Sequence, residues 1–355
     1  MTVVTSELAL LPTAIPPLDE AAAAAARTEL DRKTKPRGSL GRLEGLAVRL
    51  AAIRAEAVPA PRRPAIVIAA ADHGVAREAV SAYPPEVTRQ MLANFASGGA
   101  AVCVLARAAG AELVVVDAGT SEPHDHAAVR NLRVGDGTAN AAEGPAMSQA
   151  QAADAIGRGS ELAAELAGGG VSLIALGDMG IGNTTASAAV AAVLLGRDPR
   201  DVCGPGTGLD ASGVAHKVGV VSRMLDRNRP RADDPIGVLA AVGGFEIGVL
   251  TGVVLGAAAG RAVVLLDGFI TAAAALLAVR LAPAAGGYLV AAHRSPEPGH
   301  RVILEELGLE PLLDLDLRLG EGSGAALALP LIAAARAVLA EMATFAEAGV
   351  TDTGR

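Results

Sequence analysis

The sequence predicts an α/β fold in which a doubly wound, mainly parallel sheet is accompanied by a smaller helical domain. From residue 65 onward, short apolar runs alternate with helical stretches, and the five clearest runs are residues 65–70, 113–116, 171–176, 262–266 and 288–291. Continuous runs of Val, Ile, Leu and Ala, each followed by room for a crossover helix, are typical of buried parallel strands. A sixth, weaker strand is predicted near residues 312–315.

The two ends of the chain predict the helical domain. Residues 2–17 show no regular period, after which Asp19 is expected to cap a helix through the alanine run at residues 21–26. A second, amphipathic helix follows, and its apolar stripe consists of Leu43, Leu46, Leu50 and Ile53. Three prolines between residues 59 and 64 end this helix.

The apolar run at residues 325–346 predicts one helix or two, with Pro330 near the start. We expect this run to pack on the N-terminal helices. The predicted division of the chain is therefore residues 1–62 and 330–355 for the small helical domain, and 63–329 for the α/β catalytic domain.

Composition favours a small ligand. The 355 residues are 51% hydrophobic but only 2% aromatic, with no Trp, so stacking of many nucleic-acid bases on aromatic rings is not expected. The net charge of -8 argues against a nucleic-acid backbone as partner, because binding one needs clustered Lys and Arg.

We expect a soluble, cytoplasmic protein without a membrane partner. Cys103 and Cys203 are too few for a disulfide framework or a zinc site, and both lie among small apolar residues typical of buried thiols. The N-terminus lacks a basic region before its apolar residues and carries Glu7, unlike a secretory signal. The apolar run at residues 247–260 is too short to span a bilayer.

Polar, glycine-containing segments follow the predicted strands, at residues 71–74, 117–119, 177–185, 267–268 and 293–295. Open α/β sheets bind ligands outside the carboxyl ends of their strands. These distant segments are therefore expected to converge on one site.

Two glycine-rich loops are compatible with phosphate. The segment GDMGIGNTT, which contains Asp178, follows a strand and opens a helix, where free backbone N–H groups attract anions. It matches neither a Walker nor a dinucleotide motif, and the alternative is a tight turn capped by Thr184 and Thr185. The second loop, GPGTG, precedes Lys217, for which we favour a phosphate ligand over a solvated charge.

The segment after the first strand predicts pocket residues. Ser81, Tyr83 and Gln90 are polar residues beyond a strand end and are expected to line a pocket. Asp72 and His73 are a weak metal signal without further partners. The core face of the following helix is expected to consist of Val87, Met91 and Phe95. A separate polar loop, with His124, Asp125 and His126, is expected to be solvated.

Glu321 lies between Gly320 and Gly322, which allow a loop to approach a ligand closely. In an apolar cavity such a carboxyl would have a raised pKa suited to a general base. The alternative for Glu321 alone is an exposed loop glutamate.

An ordered set of blocks resembles one enzyme family, the nicotinate-nucleotide:5,6-dimethylbenzimidazole phosphoribosyltransferases of the cobalamin pathway. The blocks are KPRGSLGRLE, ADHGV, VSAYPPEVTRQM, NF, GGAA, GDMGIGNTT, GPGTGLD, HK, GGFEIGVLTG, DGF, HRSPEPGH and LRLGEGSGAAL, and together they cover roughly residues 33–330. The resemblance implies a Rossmann-like large domain, a small helical domain and a homodimer whose subunits share the active site.

The resemblance also implies the reaction: phosphoribose passes from nicotinate mononucleotide to 5,6-dimethylbenzimidazole, giving α-ribazole 5'-phosphate and nicotinate, without metal or cofactor. Glu321 would be the general base, and Asp178, where this block often has Glu, would stabilise positive charge on the ribose. The implied phosphate and ribose ligands are Gly180, Ile181, Gly182, Asn183, Thr184, Gly204, Gly206, Lys217, Arg294 and Ser295. The implied benzimidazole contacts are Ser81, Tyr83, Gln90, Met179 and Leu319.

Two other functions stay open at this point. A noncatalytic nucleotide or phosphosugar sensor would use the same sheet edge without turnover. A metal-dependent phosphate hydrolase would use Asp72, His73 and Asp267.

Overall fold

The computed structural model describes residues 14–61 and 63–352, which form an α/β fold around one parallel sheet. Its strands are β1 (Pro64–Ala71), β2 (Glu112–Gly119), β3 (Val129–Asn131), β4 (Leu173–Met179), β5 (Val263–Leu266) and β6 (Leu289–Ala291). Their spatial order is β3-β2-β1-β4-β5-β6, and every neighbouring pair is parallel. The predicted fold class is confirmed.

The five clearest predicted strands are all present, but the prediction of the sixth is wrong. Residues 312–315 form no strand, and only Leu313 makes a single bridge with His293. The strand that the sequence analysis missed is β3, which forms the edge of the sheet opposite β6. Its sequence, Val-Arg-Asn, is short and largely exposed, because an edge strand paired on one side needs no apolar run.

Helices cover both faces of the sheet. Their bounds are α1 (Glu20–Arg32), α2 (Arg42–Arg54), α3 (Val87–Ala96), α4 (Ala101–Ala108), α5 (Gln149–Gly168), α6 (Asn183–Leu195), α7 (Pro199–Val202), α8 (Ala211–Asn228), α9 (Pro235–Val242), α10 (Phe245–Ala259), α11 (Phe269–Leu281), α12 (Pro298–Glu306), α13 (Ser323–Glu341) and α14 (Phe345–Ala348). Two 3-10 helices, Gly74–Glu78 and Pro283–Tyr288, complete the pattern.

Glycine and alanine, rather than aromatic rings, allow the helices to pack closely. A Cβ on Gly252 of α10 would lie 1.9 Å from the carbonyl oxygen of Ile156, and one on Gly159 of α5 would lie 1.9 Å from that of Val249. The two helices therefore meet backbone to backbone. The apolar run at residues 247–260 is accordingly a buried core helix.

By length and composition alone, two apolar stretches, Val87–Ala108 and Ser323–Glu341, could cross a membrane. The first is divided between α3 and α4, and the second is α13, which packs against α2. Packing within a core accounts for the apolar character of α13, so these stretches are weak indications of a membrane location. Cys103 and Cys203 are buried and free, as expected.

The terminal helices pack together as the sequence predicts. The Asp19 side chain accepts a hydrogen bond from the Ala22 N–H at the start of α1, which packs on α2. Pro330 lies inside α13, so the predicted boundary between residues 329 and 330 falls within a continuous helix, and the domain division stays a prediction. Most of the aperiodic segment at residues 2–17 lies outside the described residues.

The strand order creates a switch point between β1 and β4. From these two central strands the chain proceeds to opposite edges of the sheet. In open α/β sheets this leaves a crevice outside the carboxyl ends of the two strands, where ligands bind.

Candidate active site

A cavity of about 270 Å³ lies at this crevice. The predicted site residues that line it are Tyr83, Asp178, Met179, Gly180, Ile181, Asn183, Thr184, Gly206, Ser295, Leu319 and Glu321. Its other lining residues are Thr207, Gly268, Phe269, Ile270, His293, Glu297, Arg318 and Gly320. Three of the five polar segments that follow predicted strands, at residues 177–185, 267–268 and 293–295, contribute lining residues to this cavity, whereas residues 71–74 and 117–119 contribute none.

Glu321 lies at the centre of a left-handed turn. Its φ is 63°, and its two neighbours in the chain, Gly320 and Gly322, also have positive φ values of 77° and 84°. The residue is 7% exposed. A left-handed conformation at a residue other than glycine is uncommon and persists only where the surrounding structure enforces it. The backbone of this turn packs on β4, because a Cβ on Gly177 would lie 2.6 Å from the Glu321 carbonyl carbon.

Asp267 fixes the position of the Glu321 turn. One of its carboxylate oxygens accepts from the Gly322 N–H at 3.1 Å, and the other accepts from the Ala325 N–H at 2.9 Å. Both donors are free amides at the start of α13, so Asp267, which follows β5, joins this helix to the sheet edge. His293 lies 3.6 Å from the same carboxylate.

Burial and neighbouring carboxylates raise the pKa values of Glu321 and Asp178. Burial, with a smaller contribution from Asp267, raises the pKa of Glu321 to about 7. The pKa of Asp178 is raised well above its ordinary value by burial and then by Asp267 and Glu246. Such a cluster of acids keeps protons at a pH where exposed carboxyls have lost them.

Asp178 is held by one residue of its own loop. The Asn183 side-chain amide donates to Asp178 Oδ2 over 2.9 Å, while Asp178 Oδ1 has no hydrogen-bond partner among the described residues. A buried acceptor without a partner is unfavourable unless a ligand or water satisfies it. Asp178, which lines the cavity, therefore retains one acceptor that no described residue satisfies.

The loop after β4 needs its glycines for close contacts. A Cβ on Gly180 would lie 2.6 Å from the Ala71 carbonyl oxygen, and Gly182, with φ 99°, begins α6 without a side-chain cap. The Ile181 N–H is already bonded to Thr88 Oγ1, so it supplies no free amide for a phosphate. The Asn183 and Thr185 N–H groups likewise donate to the Gly180 and Gly182 carbonyl oxygens, so the start of α6 contributes chiefly the positive end of its helix dipole at the cavity.

A buried ion pair between His73 and Glu246 packs against this glycine loop. His73 Nε2 lies 2.7 Å from Glu246 Oε1, and both side chains are buried. Burial lowers the pKa of His73, but the Glu246 and Asp72 carboxylates raise it by more, so the net shift is upward. The His73 ring would lie 3.3 Å from a Cβ on Gly180, which places the pair directly against the glycine loop.

Lys217 projects from α8 towards the same end of the cavity. It is 1% exposed, and its Nζ donates to Thr184 Oγ1 over 2.8 Å and to the Gly204 carbonyl oxygen over 3.3 Å. Burial lowers its pKa, with partial compensation from Glu297. Within the described part of the chain Lys217 forms no ion pair at 4 Å or less, so this buried cation suits an incoming anion.

Some predicted contacts lie outside the cavity lining. Ser81 bonds to Thr207 Oγ1 at 2.9 Å beside the cavity, whereas Gln90 is exposed on α3. Arg294 is exposed and pairs with Asp314 at 3.1 Å. Gly182, Gly204 and Lys217 are also outside the lining, although Lys217 donates to the lining residue Thr184 and to the Gly204 carbonyl oxygen.

The residues proposed for a metal hydrolase have other partners. Asp267 holds the start of α13, His73 pairs with Glu246, and Asp72 Oδ2 accepts from the Ser121 N–H at 2.7 Å. No group of three or more metal-binding side chains occurs within residues 14–61 and 63–352. The geometry does not favour that alternative.

Several residues that shape the site are not evident from the sequence. The sequence places Asp267 in a polar segment at the site and suggests it as a metal ligand, but it gives no sign that this carboxylate holds the distant start of α13. Glu297 lies in the HRSPEPGH block, where the sequence gives it no particular function. Phe269 and Ile270 form an apolar wall at the start of α11. Phe269 belongs to the DGF block, but the sequence assigns no role to either residue.

Comparison with known proteins identifies the family. The profile of a family described as phosphoribosyltransferase matches residues 15–350. The chain belongs to the nicotinate-nucleotide–dimethylbenzimidazole phosphoribosyltransferase family. A relative of that name from Roseiflexus sp. strain RS-1 is 53% identical over 95% of this chain and 96% of its own length. Another from Azotobacter vinelandii is also 53% identical, over 96% and 97%.

A solved structure also agrees with the phosphoribosyltransferase fold. CobT from Thermus thermophilus superposes with a TM-score of 0.90 and 49% identity, covering 93% of this chain and 99% of its own. Family membership makes the chain a phosphoribosyltransferase, a pentosyl-transferring enzyme. The family resemblance inferred from the motif blocks is confirmed.

Proposed function

We propose that this enzyme transfers phosphoribose from nicotinate mononucleotide to 5,6-dimethylbenzimidazole, releasing nicotinate and forming α-ribazole 5'-phosphate for the nucleotide loop of cobalamin. One observation carries the proposal: two buried groups lie around the same cavity. They are Glu321, whose pKa is about 7, and Lys217, which lies beside the two glycine loops. The names of the family relatives support the same substrates.

In the proposed reaction one benzimidazole nitrogen attacks C1' of the ribose while Glu321 takes the proton from the other ring nitrogen. The bond between C1' and the pyridinium nitrogen breaks, and its electron pair leaves with nicotinate. A carboxyl whose pKa lies near neutrality is suited to accept this proton, because it is substantially ionised yet basic enough. No redox change or additional reactant is required.

Asp178 is proposed to stabilise the positive charge that develops on the ribose. Burial raises the pKa of Asp178 in the free enzyme, and the cationic nucleotide would favour the ionised carboxylate that this role requires. The unpartnered Oδ1 of Asp178 and its place with Glu321 in the lining of one cavity support this role. Because the azole attacks the face opposite the departing nicotinate, the β configuration at C1' inverts to α. Aspartate is shorter than the glutamate often found in this block, so we propose electrostatic action rather than direct contact.

The 5'-phosphate is proposed to bind between the start of α6 and Lys217. Lys217 already donates to Thr184, and a phosphate would provide an anionic partner for this lysine. The azole would lie against Met179, Leu319 and the Phe269 wall, with Tyr83 at the mouth. These assignments support a nucleotide end and an apolar end in one cavity.

We also propose a cytoplasmic homodimer. Tyr83 and Leu319 are 55% and 56% exposed in the single chain, although both line the cavity. A second copy covering this side would exclude water from the azole. Two buried free cysteines are compatible with the reducing cytoplasm.

The direct test is to incubate the purified enzyme with nicotinate mononucleotide and dimethylbenzimidazole. We expect equal amounts of nicotinate and α-ribazole 5'-phosphate, with the α anomer identified by NMR and undiminished turnover in a metal chelator. Nucleotide binding without nicotinate release would instead support the sensor. Phosphate release abolished by the chelator would support the hydrolase, and either result would contradict the proposal.

A further inference from the structure

We propose that the Glu297 carboxylate binds the ribose hydroxyls of the nucleotide and thereby selects ribonucleotides over deoxyribonucleotides. This inference rests on the proposed function, because it assigns the sugar contact of the same cavity. Glu297 immediately precedes α12, after the loop that follows β6, and it lines the cavity together with Ser295 and Gly206.

The Glu297 carboxylate is buried, and only one of its two oxygens accepts a hydrogen bond from a described residue. The residue is 8% exposed, and its Oε1 accepts from the Gly206 N–H over 2.8 Å. Its Oε2 has no hydrogen-bond partner within residues 14–61 and 63–352. A buried carboxylate oxygen in a cavity wall is a strong acceptor that a donor from a ligand can satisfy.

The surrounding backbone is shaped to hold this carboxylate. A Cβ on Gly204 would lie 2.3 Å from Glu297 Oε2 and 2.7 Å from Pro298 Cδ, so only glycine fits opposite it. This contact gives Gly204 a steric role in addition to any role in phosphate binding. The carboxylate is therefore packed against the GPGTG loop at the point where Glu297 lines the cavity.

The Glu297 backbone is also fixed. Its N–H donates to Ser295 Oγ at 3.4 Å, and its carbonyl oxygen accepts from the His300 N–H at 3.0 Å. The Ser295 N–H donates to Nδ1 of His300, a ring whose pKa burial lowers to about 3. A neutral imidazole is needed to accept this bond, so the loop keeps its shape across the physiological pH range.

Charge decides which part of the substrate Glu297 can meet. A carboxylate repels a phosphate but accepts hydrogen bonds from hydroxyls, and carboxylates commonly bind ribose hydroxyls in nucleotide sites. Lys217 and Thr184 mark the phosphate end of the cavity, and Glu321 marks the reacting end. Glu297 already occupies the neighbouring Gly206 N–H, so this amide is not available to the phosphate that the sequence assigned to it. A sugar that spans these ends would bring its diol to the wall that Glu297 occupies.

The test uses calorimetry on the full chain without an azole, so that affinity is measured whether or not turnover occurs. The probes are nicotinate mononucleotide and its 2'-deoxy and 3'-deoxy analogues. We expect the wild type to bind at least one deoxy analogue roughly ten- to a hundredfold more weakly, as for loss of a hydrogen bond to a charged group. Equal affinity for all three nucleotides would overturn the inference without any variant.

Glu297→Gln then separates recognition from structural support. The glutamine keeps an oxygen for the Gly206 N–H, and we expect it to weaken binding of the ribonucleotide while leaving the deoxy analogue nearly unchanged, so that their Kd ratio falls about tenfold. A parallel loss for both nucleotides would mean that Glu297 only supports the loop. Glu305→Gln, an exposed change on the same helix, is the matched control and should leave the ratio unchanged.

Failure of this inference is distinguishable from failure of the proposed function. If the wild type discriminates against a deoxy analogue but releases no nicotinate with dimethylbenzimidazole, the sugar contact stands and the transferase does not. If nicotinate is released without discrimination, the transferase stands and Glu297 has another role.

Discussion

The amino ends and the carboxyl ends of the strands form two opposite edges of the sheet, here called the amino edge and the carboxyl edge, and each edge has a cavity of different character. At the amino ends of β1, β4 and β5 a cavity of about 420 Å³ lies between α2, α4 and α13, and it is larger than the 270 Å³ cavity at the carboxyl ends. The larger one has mainly apolar walls, including Leu50, Leu173 and Leu329. Its arginines, Arg54 and Arg336, pair with nearby glutamates.

The smaller cavity holds the buried, incompletely satisfied groups. Within the described chain, Asp178 and Glu297 each retain an unbonded carboxylate oxygen there, and Glu321 is held in a left-handed conformation. Parallel strands direct the following helices so that α6, α11 and α13 all begin at this edge. Size therefore does not mark the site, whereas strained backbone and perturbed acids do.

The largest expected effect tests the reacting acid at the carboxyl edge. Glu321→Gln should lower kcat about 10²- to 10⁴-fold, with a smaller change in nucleotide affinity, because only the proton acceptor is removed. In the wild type, kcat/KM should rise with pH through about 7 as Glu321 of the free enzyme ionises. Steady-state kinetics and calorimetry measure both, and equal losses in turnover and affinity would indicate a binding role instead.

A stability measurement controls for misfolding of Glu321→Gln. The pKa of this carboxyl rises from an ordinary 4.5 to about 7 on folding, so its favourable contribution is present at low pH and is lost as the pH increases through about 7. At pH 8 the glutamine variant should therefore unfold with a free energy higher by roughly 1–3 kcal/mol. Lower stability at pH 8 would contradict the assigned pKa.

An intermediate effect tests the anion end of the same cavity. Lys217→Met should raise the Kd for nicotinate mononucleotide roughly 10- to 100-fold, because a charge-assisted hydrogen bond to phosphate is lost. Methionine fills the space of the buried stem, so the melting temperature should change little. Arg223→Met on the exposed side of α8 is the control, and similar losses in both variants would place the phosphate elsewhere.

The smallest effect is expected at the amino edge. Ala333→Leu extends an exposed position of α13 into the larger cavity. We expect kcat/KM within about twofold of wild type and a change in unfolding free energy below about 1 kcal/mol, as for surface substitutions. A tenfold loss of kcat/KM would show that the amino edge is coupled to the reaction, and the contrast between the edges would fail.

The central strands can be predicted from the sequence because each is a continuous apolar run, visible without knowledge of its neighbours. The edge strand β3 cannot, because it is only three residues long, two of them polar, and it depends on pairing with β2 for its conformation. Likewise, flanking glycines in the sequence single out Glu321. Its raised pKa, however, depends on burial and on Asp267, which lies 54 residues earlier in the chain (321 − 267).

The sequence by itself determined the α/β class, the two glycine loops and the family, because these depend on local periodicity and on ordered motifs. Only the tertiary structure decided that Asp267 would hold the Glu321 turn and that Glu297 would meet Gly206, 91 residues earlier in the chain. The physical reason is that hydrogen bonding and burial are set by neighbours in space. A motif fixes which groups are available, and the fold fixes which of them face one another.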